Sequence, residues 1–487
     1  MTQGSLAERL AAAVDAGMPR ARDDLARLVG VRSVANPAIE PQSECVAAAE
    51  LVGDLFTQVG VDGIQAHPTP DGSLAVVGRT AGPAGAPTVL LYSHYDVVPV
   101  GDPDAWQTPP WELTERDGRW YGRGSADCKG NLVASLLALR ALREVLGAWP
   151  VGVAVVCEGS EEQSSGGMEA LARARPDLVA CDALLLADTG NVEAGLPTLT
   201  TSLRGTGSVL MTVRTMTHPA HSGMYGGPAP DALQALLTAL ASLRGVDGET
   251  TIDGLSHEGV WDGAPFDTNR FREDAGLLDG VEPLTGTGAI ADLLWARPAA
   301  TVLAIDCPPI SRVTAAAQGE ARAVVNLRVP ADTDAAAAQQ LLIAHLRAHT
   351  PYGEVEIKPV SLGHGFRART DGPAYAAMRR SMRTAFGRDA VTTGQGGSIP
   401  LATAIAELVP DAEIMLLGVE EPASRIHAPG ESVDPEELRR TALTQALFLA
   451  ELGGWDSLAE LGGWDSLAEL GGWDSLADLG GLTEEGS

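Results

Sequence analysis

Apolar positions recur at spacings of three and four over residues 5–30 and 41–59, the pattern of helices with one buried face. Short, nearly continuous apolar runs follow at Thr88–Ser93, Val151–Cys157 and Ala183–Ala187, each ending in polar or Gly-rich residues. Such runs suit strands buried on both faces of a partly parallel sheet. The Ala- and Leu-rich stretch Lys129–Leu146 between them reads as a helix. Strands alternating with helices predict an α/β layered domain built on a mixed sheet.

From Ser202–Gly207 the pattern changes. Ser208–Thr215 and Ala321–Val329 alternate apolar with polar residues, as strands with one solvated face do. Asp231–Leu243 and Ala335–His349 read as helices, and Glu354–Val360 as a further strand. This predicts an inserted α+β domain over 203–362. The first domain, 1–202, resumes at 363–452 with a helix at Ala374–Phe386, a strand at Glu413–Val419 and a helix at Pro435–Glu451. The end, 453–487, repeats Gly-Gly-Trp-Asp-Ser-Leu-Ala-Glu-Leu with a period of nine and places Trp455, Trp464 and Trp473 in register. Two glycines per repeat oppose helix propagation, and nine residues are too few for a solenoid unit. A disordered repeat tail is expected there.

Composition narrows the setting. The net charge is -30, and residues 451–487 carry nine of the acidic side chains and no Lys or Arg. That acidity argues against nucleic acid and against anionic membranes as partners. No apolar run reaches the ~18 residues that a membrane-spanning helix needs. The N-terminal stretch mixes Glu8, Asp15 and Asp23 into its alanines, so no signal peptide is read. The five cysteines, Cys45, Cys128, Cys157, Cys181 and Cys307, are scattered and suggest neither a disulfide scaffold nor a thiolate zinc site. Cys157 and Cys181 are expected in the core. A cytoplasmic location is the expectation.

Polar residues at the ends of the apolar runs carry the candidate chemistry. His94 and Asp96 close the first run; Asp127 sits among glycines just before a helix; Glu161-Glu162 and Asp188 follow the next two; His427 comes much later. Two His with Asp and Glu are ligands for divalent cations. Asp96 is placed to hold the second ring nitrogen of His94. Two adjacent carboxylates repel unless a cation neutralises them, so one can ligate while the other moves protons. Singly, each has an ordinary alternative: a chance loop pair for His94/Asp96, a helix cap for Asp127, a solvated acidic loop for Glu161-Glu162.

Taken together, Leu91-Tyr92-Ser93-His94-Tyr95-Asp96-Val97-Val98-Pro99, Asp117-Gly118-Arg119-Trp120-Tyr121-Gly122-Arg123-Gly124 and Gly159-Ser160-Glu161-Glu162 resemble the carnosinase/aminoacylase-type dinuclear metallopeptidases. Desuccinylases and carboxypeptidases belong to the same family. The resemblance runs from about residue 20 to 450, and is nearest the carnosinase-like dipeptidases at His221-Ser222-Gly223-Met224-Tyr225-Gly226-Gly227 and Gly396-Gly397-Ser398-Ile399-Pro400. It implies a zinc-peptidase catalytic domain and makes the insertion a lid and dimerisation domain.

The resemblance also implies roles. His94 and Asp188 would hold one divalent ion, Glu162 and His427 the other, with Asp127 bridging and followed by a cis peptide bond to Cys128. Zn²⁺ is the foremost candidate, Mn²⁺ or Co²⁺ the alternatives. Glu161 would be the general base and Asp96 the partner of His94. His221, reaching a neighbouring subunit of a homodimer, would stabilise the oxyanion. Arg328, Ser398 and Gly397 would bind the substrate carboxylate. The implied reaction is hydrolysis of an amide bond in a dipeptide. An N-acyl-amino-acid deacylase or desuccinylase is the second enzyme reading, and a metal-binding scaffold recruiting a protein partner through its Trp-Asp-Ser-Leu tail is the alternative of another kind. Two positions depart from the dipeptidase pattern: Cys128 stands where a second acid is usual, and Gly394-Gln395 where Arg-Glu is common.

Overall fold

The structure, a computed structural model, describes residues 4–163, 165–397 and 399–455. Ser398 and repeat residues 456–487 lie outside the described residues. The chain forms two compact units: one comprises the residues up to Thr200, Ala368–Val391 and the chain from Ala404; the other comprises Thr201–Arg367 and Thr392–Thr403.

The first unit is built on a mixed sheet, as the buried apolar runs predict. Its strands lie in the order Gln65–Pro68, Leu74–Thr80, Gly152–Glu158, Thr88–His94, Ala183–Ala187, Glu413–Leu417 and Thr198–Leu203. The four from Gly152–Glu158 to Glu413–Leu417 are parallel, and all of their residues except part of their ends are buried hydrophobics. Their registers align: His94 pairs with Glu158, Tyr92 with Leu186, and Leu417 with Ala187. The carboxyl ends therefore share one edge, where open parallel sheets characteristically bind ligands.

Helices Leu6–Val29, Lys129–Leu146 and Pro435–Leu452 pack on one another beside this sheet. The first starts where Ser5 and Glu8 form a reciprocal capping box. The second stops at Gly147, whose φ of 74° suits glycine. The third starts at Pro435 behind the Asp434 cap. A small sheet of Thr114–Arg116, Arg119–Tyr121 and Ser432–Val433 joins the turn before Asp127 to the segment after His427.

The second unit has an antiparallel sheet in the order Ala299–Asp306, Glu320–Val329, Gly205–Arg214, Glu354–Gly363. Helices Ala232–Ala241 and Ala335–Ala348 pack on it, sharing a core that includes Val209, Met211, Leu236, Val325 and Leu342. Strands Gln65–Pro68, Leu74–Thr80 and Ala299–Asp306 were not among the predicted elements. Residues Thr392–Thr403 cluster with the second unit, although they follow the point at which the first was expected to resume. Cys181 is only half-buried, contrary to the core position expected, whereas Cys157 is fully buried. All five cysteines are free.

Candidate metal centre

Asp127 stands at the middle of a cluster on the carboxyl edge of the parallel strands. Its Oδ1 lies 3.1 Å from His94 Nε2, which is also 3.1 Å from Asp188 Oδ1. Its Oδ2 lies 3.0 Å from His427 Nε2, which is 3.1 Å from Glu162 Oε2. One carboxylate thus faces two separate histidine–carboxylate pairs, one on each oxygen. These spacings approach the edge of a coordination tetrahedron, about 3.4 Å for ligands at 2.0–2.2 Å from an ion.

The local chain explains each placement. His94 ends a buried strand, and Asp188 directly follows another. Glu161 and Glu162 lie in a 3-10 turn after strand Gly152–Glu158. Asp96 fixes that turn: its Oδ1 accepts the Glu161 N–H and its Oδ2 the Glu162 N–H, both at 3.1 Å. Its carboxylate is also 3.4 Å from His94 Nδ1, while its own backbone carbonyl lies closer, at 3.1 Å. The Asp96 carboxylate therefore positions the glutamates at least as directly as it does the imidazole. The Asp127–Cys128 peptide bond is cis. His427 has a φ of 62°, in a turn after Arg425, which is also left-handed.

Electrostatics show a surplus of negative groups. Burial, then Asp188, pushes the Glu161 carboxyl up to about 9. Burial raises Asp188 to about 6 against the pull of His94. Hydrogen bonds to Asp127 and Glu162 raise His427 to about 10. Burial opposes a protonated His94, but Cys128, Asp188 and Asp127 outweigh it and hold the ring well above its ordinary range. Glu162 Oε1 is buried with no hydrogen-bond partner, and so is Glu420 Oε2. Buried, unpaired carboxylate oxygens are costly, and divalent cations are the partners this donor set fits. His94, Asp127 and Glu162 form one group able to hold an ion, and Asp127, Asp188 and Glu420 another. The Glu161 carboxylate makes no hydrogen bond or ion pair among the described residues, so it is free to exchange a proton.

Three residues near the cluster were given no role in the sequence. Glu431 accepts from Arg123 Nη1 at 2.6 Å and from the backbone N–H groups of Gly124, Ala126 and Asp127 at 2.9–3.1 Å. It clamps the turn that aims Asp127. Glu420 accepts from Asn131 Nδ2, and burial, then Asp127 and Asp188, holds its carboxyl well above the usual range. Cys128 donates to the Ala187 carbonyl at 2.9 Å, and with His94 and Asp188 it makes a further group able to hold an ion. Burial raises the Cys128 pKa, which favours the protonated thiol that donates to Ala187. The acidic pair Glu420-Glu421 after an apolar strand was the available signal for Glu420; the others needed contacts remote in sequence.

The remaining candidates belong to the second unit. His221 is exposed on the short strand Ala220–His221, paired with Ala316–Ala317, and its Nδ1 accepts the Gly223 N–H at 3.1 Å. Arg328 is half-buried and lacks an acidic partner among the described residues. Arg204, missed in the sequence, has its pKa lowered to about 10 by burial and by Arg328. Its Nε is buried without a partner, as is Gln395 Oε1, and the Arg204 N–H donates to the Gln395 carbonyl at 3.2 Å. A position for a Cβ on Gly396 would lie 3.0 Å from the Arg204 guanidinium, whereas Gly397 has open space.

Acidic and imidazole side chains thus gather at the carboxyl edge of the parallel strands, a donor set that fits divalent cations. Residues 90–451 match the family described as peptidase family M20/M25/M40, and the chain belongs to that family. It is 42% identical over 410 residues to the cysteinylglycine-S-conjugate dipeptidase of Corynebacterium striatum, covering 83% of this chain and 90% of that one. It is 27% identical over 459 residues to the human Beta-Ala-His dipeptidase, covering 89% and 86%. The crystal structure of human carnosine dipeptidase 1 superposes with a TM-score of 0.75 at 22% identity, covering 93% of this chain and 99% of that one, which supports the fold.

Proposed function

We propose that the chain is a metal-dependent dipeptidase that uses two divalent ions, with Zn²⁺ the foremost candidate and Mn²⁺ or Co²⁺ alternatives. The observation that carries this reading is Asp127, whose two oxygens each face one histidine–carboxylate pair. His94 and Asp188 would hold one ion with Asp127, and Glu162 and His427 would hold the other. Bound ions supply Lewis acidity, lowering the pKa of a water and polarising the scissile carbonyl. Glu161 takes the proton of the attacking water and returns it to the leaving amine. Asp96 keeps Glu161 and Glu162 in register through their backbone N–H groups.

In the second unit, Arg328 takes the substrate carboxylate together with Gly397 and Ser398, the fork of the guanidinium suiting two oxygens. His221 donates to the developing oxyanion of a second copy in a homodimer; its exposure, with that of Met224 and Tyr225 beside it, supports a partner surface. That relatives are named dipeptidases supports a dipeptide as substrate over an N-acyl amino acid, and the name of the Corynebacterium relative supports cysteinylglycine S-conjugates. A cytoplasmic setting accords with five unpaired thiols.

The test is a screen of dipeptides against N-acyl amino acids after chelation and re-addition of Zn²⁺, Mn²⁺ or Co²⁺. Dipeptide cleavage restored by metal is expected. Glu161→Gln is expected to retain its metal and lose about 10²–10⁴ of turnover. Full hydrolysis by Glu161→Gln would overturn the mechanism, and cleavage confined to N-acyl amino acids would overturn the substrate.

A further inference from the structure

A second histidine cluster lies within the α+β unit and shares no residue with the peptidase centre. His345 and His349 are one helical turn apart at the carboxyl end of helix Ala335–Ala348. Asp253 faces both from the turn Ile252–Leu255, closed by the Leu255 N–H on the Ile252 carbonyl. Asp253 Oδ2 lies 3.2 Å from His345 Nδ1 and 3.0 Å from His349 Nε2. A ligand atom from each residue lies within 4.8 Å of the other two.

Hydrogen bonding decides which His345 nitrogen carries the proton. The Ser242 hydroxyl donates to the Ala239 carbonyl at 2.7 Å, so its oxygen accepts from His345 Nε2 at 2.9 Å. Nε2 is the N–H, and Nδ1 presents a lone pair to Asp253. The Asp253 carboxylate stands beside that lone pair at 3.2 Å, so a cation that takes the lone pair gains the carboxylate as a second ligand. The Asp253 N–H, which donates to Nδ1 at 3.1 Å, is the interaction such a cation displaces. Ligating histidines characteristically donate their other ring nitrogen to a fixed acceptor, as His345 does to Ser242. The negative end of the helix dipole adds to the attraction. His345 is buried, whereas Asp253 and His349 are open to solvent, which leaves water access to the remaining coordination positions.

We propose that Asp253, His345 and His349 form a site for one borderline divalent cation of the Zn²⁺ type, joining the end of helix Ala335–Ala348 to the turn Ile252–Leu255. Two His and one carboxylate at these spacings match the donor types and the geometry of such ions. The ion ties together segments about ninety residues apart and stabilises this unit; catalysis is not its task.

The test compares the full chain with its His349→Ala and Asp253→Asn variants. Each is stripped by chelation, equilibrated with Zn²⁺ buffered by a competing chelator, and assayed for bound metal and for dipeptide turnover. The parent chain is expected to retain one equivalent of Zn²⁺ more than either variant, at unchanged kcat/KM. Equal metal content in all three would overturn the proposal. His349 is exposed and Asp253→Asn preserves shape, so folding is retained in at least one variant. The readout is a difference, so it holds however many ions the Asp127 cluster takes and whatever the chain hydrolyses.

Discussion

At the scale of single residues, the chemistry rests on unequal treatment of chemically similar carboxylates. Asp127 is shared between two histidines and Glu162 pairs with one, whereas the Glu161 carboxylate makes no hydrogen bond or ion pair among the described residues. Glu431 shows how much positioning such a site requires. It balances the buried Arg123 while accepting three backbone N–H groups of the turn that carries Asp127. Glu431→Gln leaves the guanidinium buried and unpaired, which costs about 3–5 kcal/mol. Denaturant unfolding of the metal-free chain is expected to show that loss, and the double variant Arg123→Met/Glu431→Gln to recover part of it. The ligand candidates other than His427 were legible in the sequence because each closes an apolar run or stands in a glycine-rich turn, whereas His427 rested on the family resemblance. Glu431 and Arg204 were not, because what defines them is a contact: Glu431 meets Arg123 across 308 positions, and Arg204 matters through the company of Arg328 and Gln395.

Elements carry the next level of precision. Helix Lys129–Leu146 begins two residues after Asp127, and Gly130 in its first turn lets it approach that turn closely. A Cβ on Gly130 would sit 2.3 Å from the Ser125 carbonyl oxygen, a backbone atom that cannot yield without moving Asp127. Gly130→Ala is therefore expected to lower metal affinity at least tenfold, read by competition with a chromophoric chelator, in protein that still folds by circular dichroism. Element type followed from periodicity where burial is two-sided or strictly alternating, as at Thr88–His94 and Glu320–Val329. Strand Ala299–Asp306 escaped because it lies at a sheet edge and is exposed from Thr301 onward, so its pairing with Glu320–Val329 defines it and no hydrophobic period marks it.

For the whole molecule, metal and protons compete. His427 keeps its proton up to about 10 in the metal-free chain through Asp127 and Glu162. That proton's contribution to metal-free stability is complete below the ordinary histidine pKa and is lost as pH rises through the raised value. As the proposed ligand, His427 would need a neutral ring, so ion binding would release protons and tighten as pH increases. Titrations in buffers of different ionisation enthalpy are expected to show this release, and affinity is expected to rise from pH 6 to roughly pH 9. A pH-independent affinity would contradict the role given to His427. The family match ends at residue 451 and the last described helix at Leu452. Deleting residues 456–487 is accordingly expected to leave kcat/KM unchanged, measured on the same dipeptide, and any partner captured by those repeats should be lost with them.

The order of the candidate ligands along the chain has a consequence for biosynthesis. His94, Asp127 and Asp188 all precede the inserted unit, whereas His427 follows it and the strand Glu413–Leu417 returns to pair beside Ala183–Ala187. A ribosome therefore completes one side of Asp127 long before it delivers the other. Nascent chains arrested before residue 427 would carry His94 and Asp188 for one oxygen of Asp127, and Glu162 without its histidine for the other. Domains tend to fold as units during synthesis, so the moment of release decides when the second half of this centre can exist. The second side of Asp127 would therefore become available to an ion only once synthesis has passed residue 427.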